Sequence, residues 1–466
     1  MLLVPRRPSP RLIAIALTLL VGAAERARGD EPLPPADETE GFARDPQDTS
    51  ADAPDHAALV GPGRHDPSQH EFLFVPVPIG VANSDEGIGG GVVLALHHHY
   101  GGVEPLRDDL SLRLYLTSKL VQRHELRWEG IQVLDLPLRM WARVGFFSTV
   151  SQTFCGYGNG VTCEESEPRA IARDAGLVEG EPAFDDFVRR YFLMRYVRPH
   201  ADTVMRWRLR DKPHRMELLT GWRLGWYLPG TLLEAGPWPG SLYAAQFPEG
   251  EPGVSSVPQL GVTLDNRDFE PAPSQGYFLE ASVRGAHPWV GSSWTWAGMN
   301  LSLHGYDQLS ASPHVVYAGR VLVDLAAGAM PTEEIAEIGG TKDYGAFGGQ
   351  WIGRGVRDRR YLGKLRVIHQ SELRVGVASF DVFGWHLDNG VVAFADLAWI
   401  GYDWDNLGGV FPGEPWRAGN PLGVVWGAGL GLRILVNRAI VARAEVAASP
   451  TEQRSPSFYT PVGNSL

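Results

Sequence analysis

From Glu71 onward hydrophobicity alternates with period two, and no other feature constrains the fold of this chain as tightly. Leu110, Leu112, Leu114 and Leu116 alternate with Ser111, Arg113, Tyr115 and Thr117. Leu138, Met140, Ala142, Val144 and Phe146 alternate with Arg139, Trp141, Arg143, Gly145 and Phe147. Met205, Trp207 and Leu209 interleave with Arg206, Arg208 and Arg210, and Met216 to Trp226 repeats the pattern against Arg215, Glu217 and Arg223. Ile440, Ala442, Ala444 and Val446 oppose Val441, Arg443, Glu445 and Ala447. Residues two apart share one face of a strand, so each segment has one apolar and one largely polar face.

A soluble antiparallel sheet alternates in the same way. Three details favour a membrane. Several segments reach the ~9–11 residues with which a tilted strand crosses a bilayer. Arg recurs on the polar faces, as a wet lumen allows. Such segments fill most of residues 71–466, too many for one small sandwich. In lipid every backbone group must be paired, so these strands are viable only in a closed sheet. Gly at 55 and Pro at 35 suit many short turns, and 15 Trp suit interfacial girdles as well as large cores. The expected fold is all-β, a closed antiparallel transmembrane barrel.

The N-terminus carries an export signal. Arg6, Arg7 and Arg11 precede an apolar run from Leu12 to Ala24, with small-residue exits at Ala23 and Gly29. The run is shorter than the ~20 residues of a helical span. Residues 1–29 therefore read as a signal peptide. Residues 30–70, acidic and rich in Pro, read as a disordered periplasmic linker. Residues 71–466 read as the barrel. A net charge of -12 argues against a nucleic-acid partner. Cys155 and Cys163 have a spacing that suits a small loop disulfide in an oxidising compartment, or half of a zinc site.

Several local patterns resemble the bacterial surface-antigen (BamA/TamA-like) outer-membrane proteins. Asp265, Asn266, Arg267 and Asp268, followed by Pro271, Pro273, Gly276 and Tyr277, are similar to the family's strand–turn–strand signature, and Phe154 to Asn159 resembles another of its turns. Ile338-Gly339-Gly340 resembles the lead-in to a long lid loop. Gly353-Arg354-Gly355-Val356, with Arg360, Tyr361 and Gly363, resembles the Arg-Gly lid motif. Glu372-Leu373-Arg374 and Phe394-Ala395-Asp396-Leu397-Ala398 follow in the family's order. Val356 stands where the family carries an aromatic, Ala398 where it carries Gly, and the chain ends at Leu466 rather than on an aromatic.

The resemblance implies sixteen strands and an inward-folded lid. It implies that Arg354, beside Gly355, pairs with Asp396, with Glu372 and Arg374 nearby on the wall. A guanidinium offers a bidentate fork to a carboxylate, which makes the pairing chemically sound. Family members that assemble or translocate proteins carry periplasmic POTRA modules of about 75 residues each, on the scale of a small domain. Residues 30–70 cannot hold one, so the resemblance is to a member lacking them.

Little else in the chain points to chemistry. His97, His98 and His99 alternate faces on a strand, so only His97 and His99 share one, and no spaced ligand completes a metal site. No G-x-S-x-G elbow, phosphate loop or H-E-x-x-H helix occurs. The expectation is a non-enzymatic outer-membrane barrel without metal or cofactor. It would contact outer-membrane lipid and aid protein or lipid insertion or passage with a separate periplasmic protein. The alternative is a lid-gated channel for small solutes.

Overall fold

The structure, a computed structural model, describes residues 70–83, 85–100, 107–158, 163–211, 214–270, 272–311, 314–340, 345–382, 385–405, 423–436, 440–452 and 456–461. The expected signal peptide and, apart from His70, the expected linker lie outside these residues, as do Asn159 and Pro271 of the two turn signatures.

Sixteen strands among the described residues form one antiparallel sheet in sequence order. They are β1 (Glu71–Asn83), β2 (Gly87–His99), β3 (Asp108–Thr117), β4 (Gln122–Ile131), β5 (Leu138–Thr153), β6 (Leu193–Arg210), β7 (Arg215–Pro229) and β8 (Gly253–Asp265). The order continues with β9 (Gly276–Ala286), β10 (Thr295–Ala311), β11 (His314–Ala329), β12 (Leu365–Val382), β13 (Trp385–Gly401), β14 (Val425–Val436), β15 (Ile440–Ala448) and the three-residue β16 (Ser457–Tyr459). β1 and β16 approach with Cα atoms within 8 Å, and no ladder joins them among the described residues. Among the described residues four short α-helices sit in the connections: α1 (Ser166–Asp174), α2 (Pro182–Arg190), α3 (Leu242–Gln246) and α4 (Thr332–Ala336).

Each alternating segment read from the sequence lies within a strand, because its period matches the pleat. The two ends of the sheet differ. Connections such as 211–214, 312–313 and 383–384 are a few residues long, whereas 154–192, 230–252, 330–364 and 402–424 are much longer, and the first three of these carry the described α-helices. Transmembrane barrels divide short turns from long loops in this way.

Burial is inverted relative to a soluble protein. Phe72, Phe74, Leu114, Val144, Trp222, Leu224, Trp226, Leu260, Met299, Leu373, Leu430 and Val446 are exposed on one face. The opposite face buries Asp202, Glu280, Arg284, Arg320, Asp324, Arg366, Glu372, Asp396 and Glu445. An exposed apolar band of this extent requires an apolar environment. Buried charges persist only when paired. The main hydrophobic cluster sits at the long-loop end, where Phe154, Tyr157, Tyr191, Tyr243 and Trp296 pack with Ile335, Phe347, Ile352, Val356 and Leu362 of the 330–364 loop. No described helix is long and apolar enough to cross a membrane, which says nothing about spanning by strands.

Candidate functional site

The loop between β11 and β12 folds against the charged face of the sheet and is held there by two groups of ion pairs. The first is built on α4. This helix follows Pro331 and carries Glu333 and Glu334, both buried, with Glu337 just beyond it. Arg359 donates from Nη1 to Glu333 Oε2 at 2.8 Å and from Nη2 to Glu337 Oε1 at 3.2 Å. Arg198 on β6 reaches Glu337 at 3.4 Å. Glu334 accepts from Arg223 and Tyr227 on β7 and from Ser255 on β8. Burial pushes the Glu333 carboxyl above its ordinary range, against the pull of Arg359.

The second group surrounds Arg354, whose side chain is fully buried. Its Nε donates to Asp396 Oδ2 and its Nη2 to Asp396 Oδ1, each at 2.9 Å. The backbone N–H groups of Gly353 and Arg354 donate to the same Oδ2 at 3.1 and 2.9 Å. Nη1 donates to Glu372 Oε1 at 2.8 Å and to Glu445 Oε1 at 3.2 Å. Phe394 lies under the guanidinium, 3.6 Å from Cζ to the ring centroid. Arg374 Nε and Arg443 Nη1 engage Glu372 and Glu445 at 2.9 Å each. A charge taken out of water is tolerated when its donors and acceptors are satisfied at this density.

Two glycines make the approach possible. Gly355 has φ 92°, and a Cβ there would come within 2.8 Å of the Ala448 backbone. A Cβ on Gly427 of β14 would lie 2.0 Å from the Arg354 carbonyl oxygen. The lid backbone therefore rests directly on bare strand backbone. Gly355 also donates its N–H to the Tyr459 hydroxyl on β16 at 3.2 Å. The latch thus draws on β12, β13, β14, β15 and β16.

Asp265 and Arg267 of the turn signature form a bidentate pair, with Nε to Oδ1 at 2.9 Å and Nη2 to Oδ2 at 2.8 Å. Gly276 has φ 97°, and a Cβ there would lie 2.5 Å from the Asn266 carbonyl oxygen, so the turn closes only over a glycine. Glu270, in the same turn, reaches Arg139 on β5 at 3.2 Å and Arg215 on β7 at 3.6 Å. Burial opposes ionisation there, yet Arg139, Arg267, Arg206 and Arg215 hold the Glu270 carboxyl at about 2.

Phe154 to Gly158 packs on the lid rather than making a free turn: Tyr157 pairs with Leu362 in a parallel bridge and its hydroxyl bonds Thr332. A disulfide joins Cys155 and Cys163, with Cα atoms 5.5 Å apart, a span bridged cysteines adopt. His97 faces Asp109 at 2.9 Å and His98 faces Asp108 at 3.1 Å. Among the described residues no group of His, Cys, Asp or Glu is arranged to hold a metal.

A cavity of about 310 Å³ separates the lid from strands β2 to β6. Arg113, Arg123, Arg127 and Arg143 line its wall, while Asp85, Glu86 and the lid's Asp358 face them. Burial, then the neighbouring Asp85 and Glu86, push the Asp358 carboxyl to about 7, against Arg359 and Arg123.

Glu445, Arg443, Phe394, Gly427, Tyr459 and the α4 glutamates complete these contacts beyond the residues assigned to the lock from sequence. Glu445 and Arg443 stood on the polar face of an alternating segment, which was the only local signal for them.

No protein-family model matches the chain, and no curated protein matches it. Solved structures do. CdiB from Escherichia coli superposes with a TM-score of 0.54 at 11% identity over 83% of this chain and 62% of that one. BamA from Haemophilus ducreyi lacking POTRA domains 1-3 gives 0.48 at 14% identity over 85% and 70%. CdiB from Acinetobacter baumannii gives 0.48 at 12% identity over 84% and 59%. This chain therefore spans less than two thirds of either CdiB, and the likeness to the Escherichia coli protein is one of fold.

Proposed function

We propose that this chain is a non-enzymatic barrel of the cell outer membrane in a Gram-negative-type bacterium. In this reading residues 1–29 direct export, residues 30–70 form a periplasmic linker, and residues 71–466 close into a sixteen-strand cylinder through β1 and β16. Its role is to aid protein or lipid insertion or passage across that membrane, working with a separate periplasmic partner. The observation that carries the reading is the Arg354 latch. A loop held at one buried guanidinium by Asp396, Glu372 and Glu445 supports it, because a diffusion pore has no need of a loop fixed to its charged face. The fold of Escherichia coli CdiB and the outward apolar band support the same placement. Depletion of the protein followed by outer-membrane proteomics and lipid analysis tests the role. Selective loss of particular outer-membrane proteins or lipids is expected, and an unaltered membrane would overturn it.

A second reading, a lid-gated channel for small solutes, is favoured by the cavity, whose arginine-rich wall is faced by Asp85, Glu86 and the loop's Asp358. Opposed charges across a narrow lumen orient and select polar solutes. Planar-bilayer recording separates the two. The assembly reading expects low, flickering conductance, and a large steady ohmic pore favours the channel.

A further inference from the structure

The cluster around the latch holds one more positive charge than negative. Arg354, Arg374, Arg433 and Arg443 give four guanidiniums, and Asp396, Glu372 and Glu445 give three carboxylates. Arg433 makes no hydrogen bond to any of them, and of the three only the Glu372 charge bears on it. It stands directly opposite Arg443 in the β14–β15 register, which places the two Cβ atoms about 5 Å apart. Like charges so placed repel unless something lies between them. Arg433 shares the inward face of β14 with Gly427 and Gly431. Of the inward positions separating it from Arg374, Gly390 and Gly431 carry no side chain. The charges of Arg374, Arg443 and Arg433 all bear on Glu372.

The donors are also unevenly used. Arg443, 5% exposed, spends Nη1 on Glu445, while its Nε and Nη2 are buried without an acceptor. No hydrogen bond or ion pair joins Arg433 to another described residue, and its side chain is partly buried. The lid's Trp351 stacks over Arg443 at 5.3 Å and also borders the 310 Å³ cavity.

We propose that Arg433 and Arg443, flanked by Arg374, form an anion site for a small oxyanion of the phosphate or sulfate class. Guanidinium forks match the spacing of tetrahedral oxyanions, and one negative charge balances the cluster. An anion held there bridges β14 to β15 beneath the lid and strengthens the latch, although it touches neither Arg354 nor Asp396.

Thermal unfolding of the full-length barrel in detergent micelles tests this, with sodium phosphate or sulfate exchanged against sodium chloride at constant ionic strength. A ligand that binds only the folded state raises the midpoint saturably. The wild type is expected to gain several degrees with either oxyanion, R433Q to lose that gain, and R433K to keep part of it. No saturable gain in the wild type, or an equal gain in R433Q, would overturn the site. Should R433Q not fold, calorimetric titration of phosphate into the wild type decides. Saturable binding near one equivalent supports the proposal, and flat heats at tens of millimolar phosphate reject it.

Discussion

Arg354 and Asp396 meet through both of the carboxylate's oxygens and through the backbone N–H of Arg354 itself, so side chain and main chain of one lid residue converge on one strand residue. Both side chains are fully buried. Breaking such a pair from one side leaves a desolvated charge, at a cost of ~3–5 kcal/mol. R354A and D396A should each lower the temperature at which the barrel loses its heat-modifiable gel mobility. The double variant should lose much less than the sum of the two, because residues in one network are not additive. Strictly additive losses would show that the pair is not coupled.

Glycine substitutions separate close approach from general strand weakening. G427A places a Cβ 2.0 Å from the Arg354 carbonyl oxygen and should release the lid, seen as faster labelling of a cysteine placed at Gln350. G305A on β10 meets nothing within 4 Å and should leave lid labelling unchanged. Equal labelling in the two variants would remove the steric argument.

Asp358 gives the lid a pH dependence. Its carboxyl sits near 7, raised by burial and by Asp85 and Glu86. Arg359, Arg123 and Gln152, whose Nε2 lies 3.5 Å from Oδ2, face it as well. The folded protein holds this proton in the range where the unfolded chain has lost it. Stability therefore falls as pH rises from the ordinary carboxylate range to about 7, then levels off. D358N should flatten the melting profile between pH 5 and 7. A profile identical to wild type would rule out Asp358 as the source. Glu270, held near 2, acts in the opposite sense at lower pH and does not enter this window.

The Cys155–Cys163 bridge pins the segment that carries Tyr157 onto the lid. Closing so short a loop contributes ~2–3 kcal/mol. The protein should show no thiol labelling before reduction and two thiols after it, and C155S should lower the melting midpoint. Two free thiols without reduction would exclude the bridge.

The strands were legible because side-chain alternation reports the pleat directly, as in Leu110–Thr117 and Arg215–Trp226. Arg354, Gly355, Asp396, Glu372 and Arg374 were named through local motifs, and these five lie together. Glu445 could not be named with them. Alternation assigns a residue to a face, but its height and its neighbour across the lumen depend on the accumulated register of β12 through β15. The α4 glutamates and Glu337 were hidden for a related reason, since their partners Arg198, Arg223 and Arg359 come from well-separated parts of the chain. The wall glycines likewise carry no local mark that a loop will rest on them.

The latch also acts as an inspection of the last part of the barrel to be made. Its acceptors sit on β12, β13 and β15, its seat is Gly427 on β14, and its final hydrogen bond ends on Tyr459 of β16. A one-residue slip in any of these strands would turn its contribution to the outer face. Arg354 then finds its full set of partners only when the C-terminal quarter of the chain has paired correctly, and a mispaired wall is left with an undocked loop.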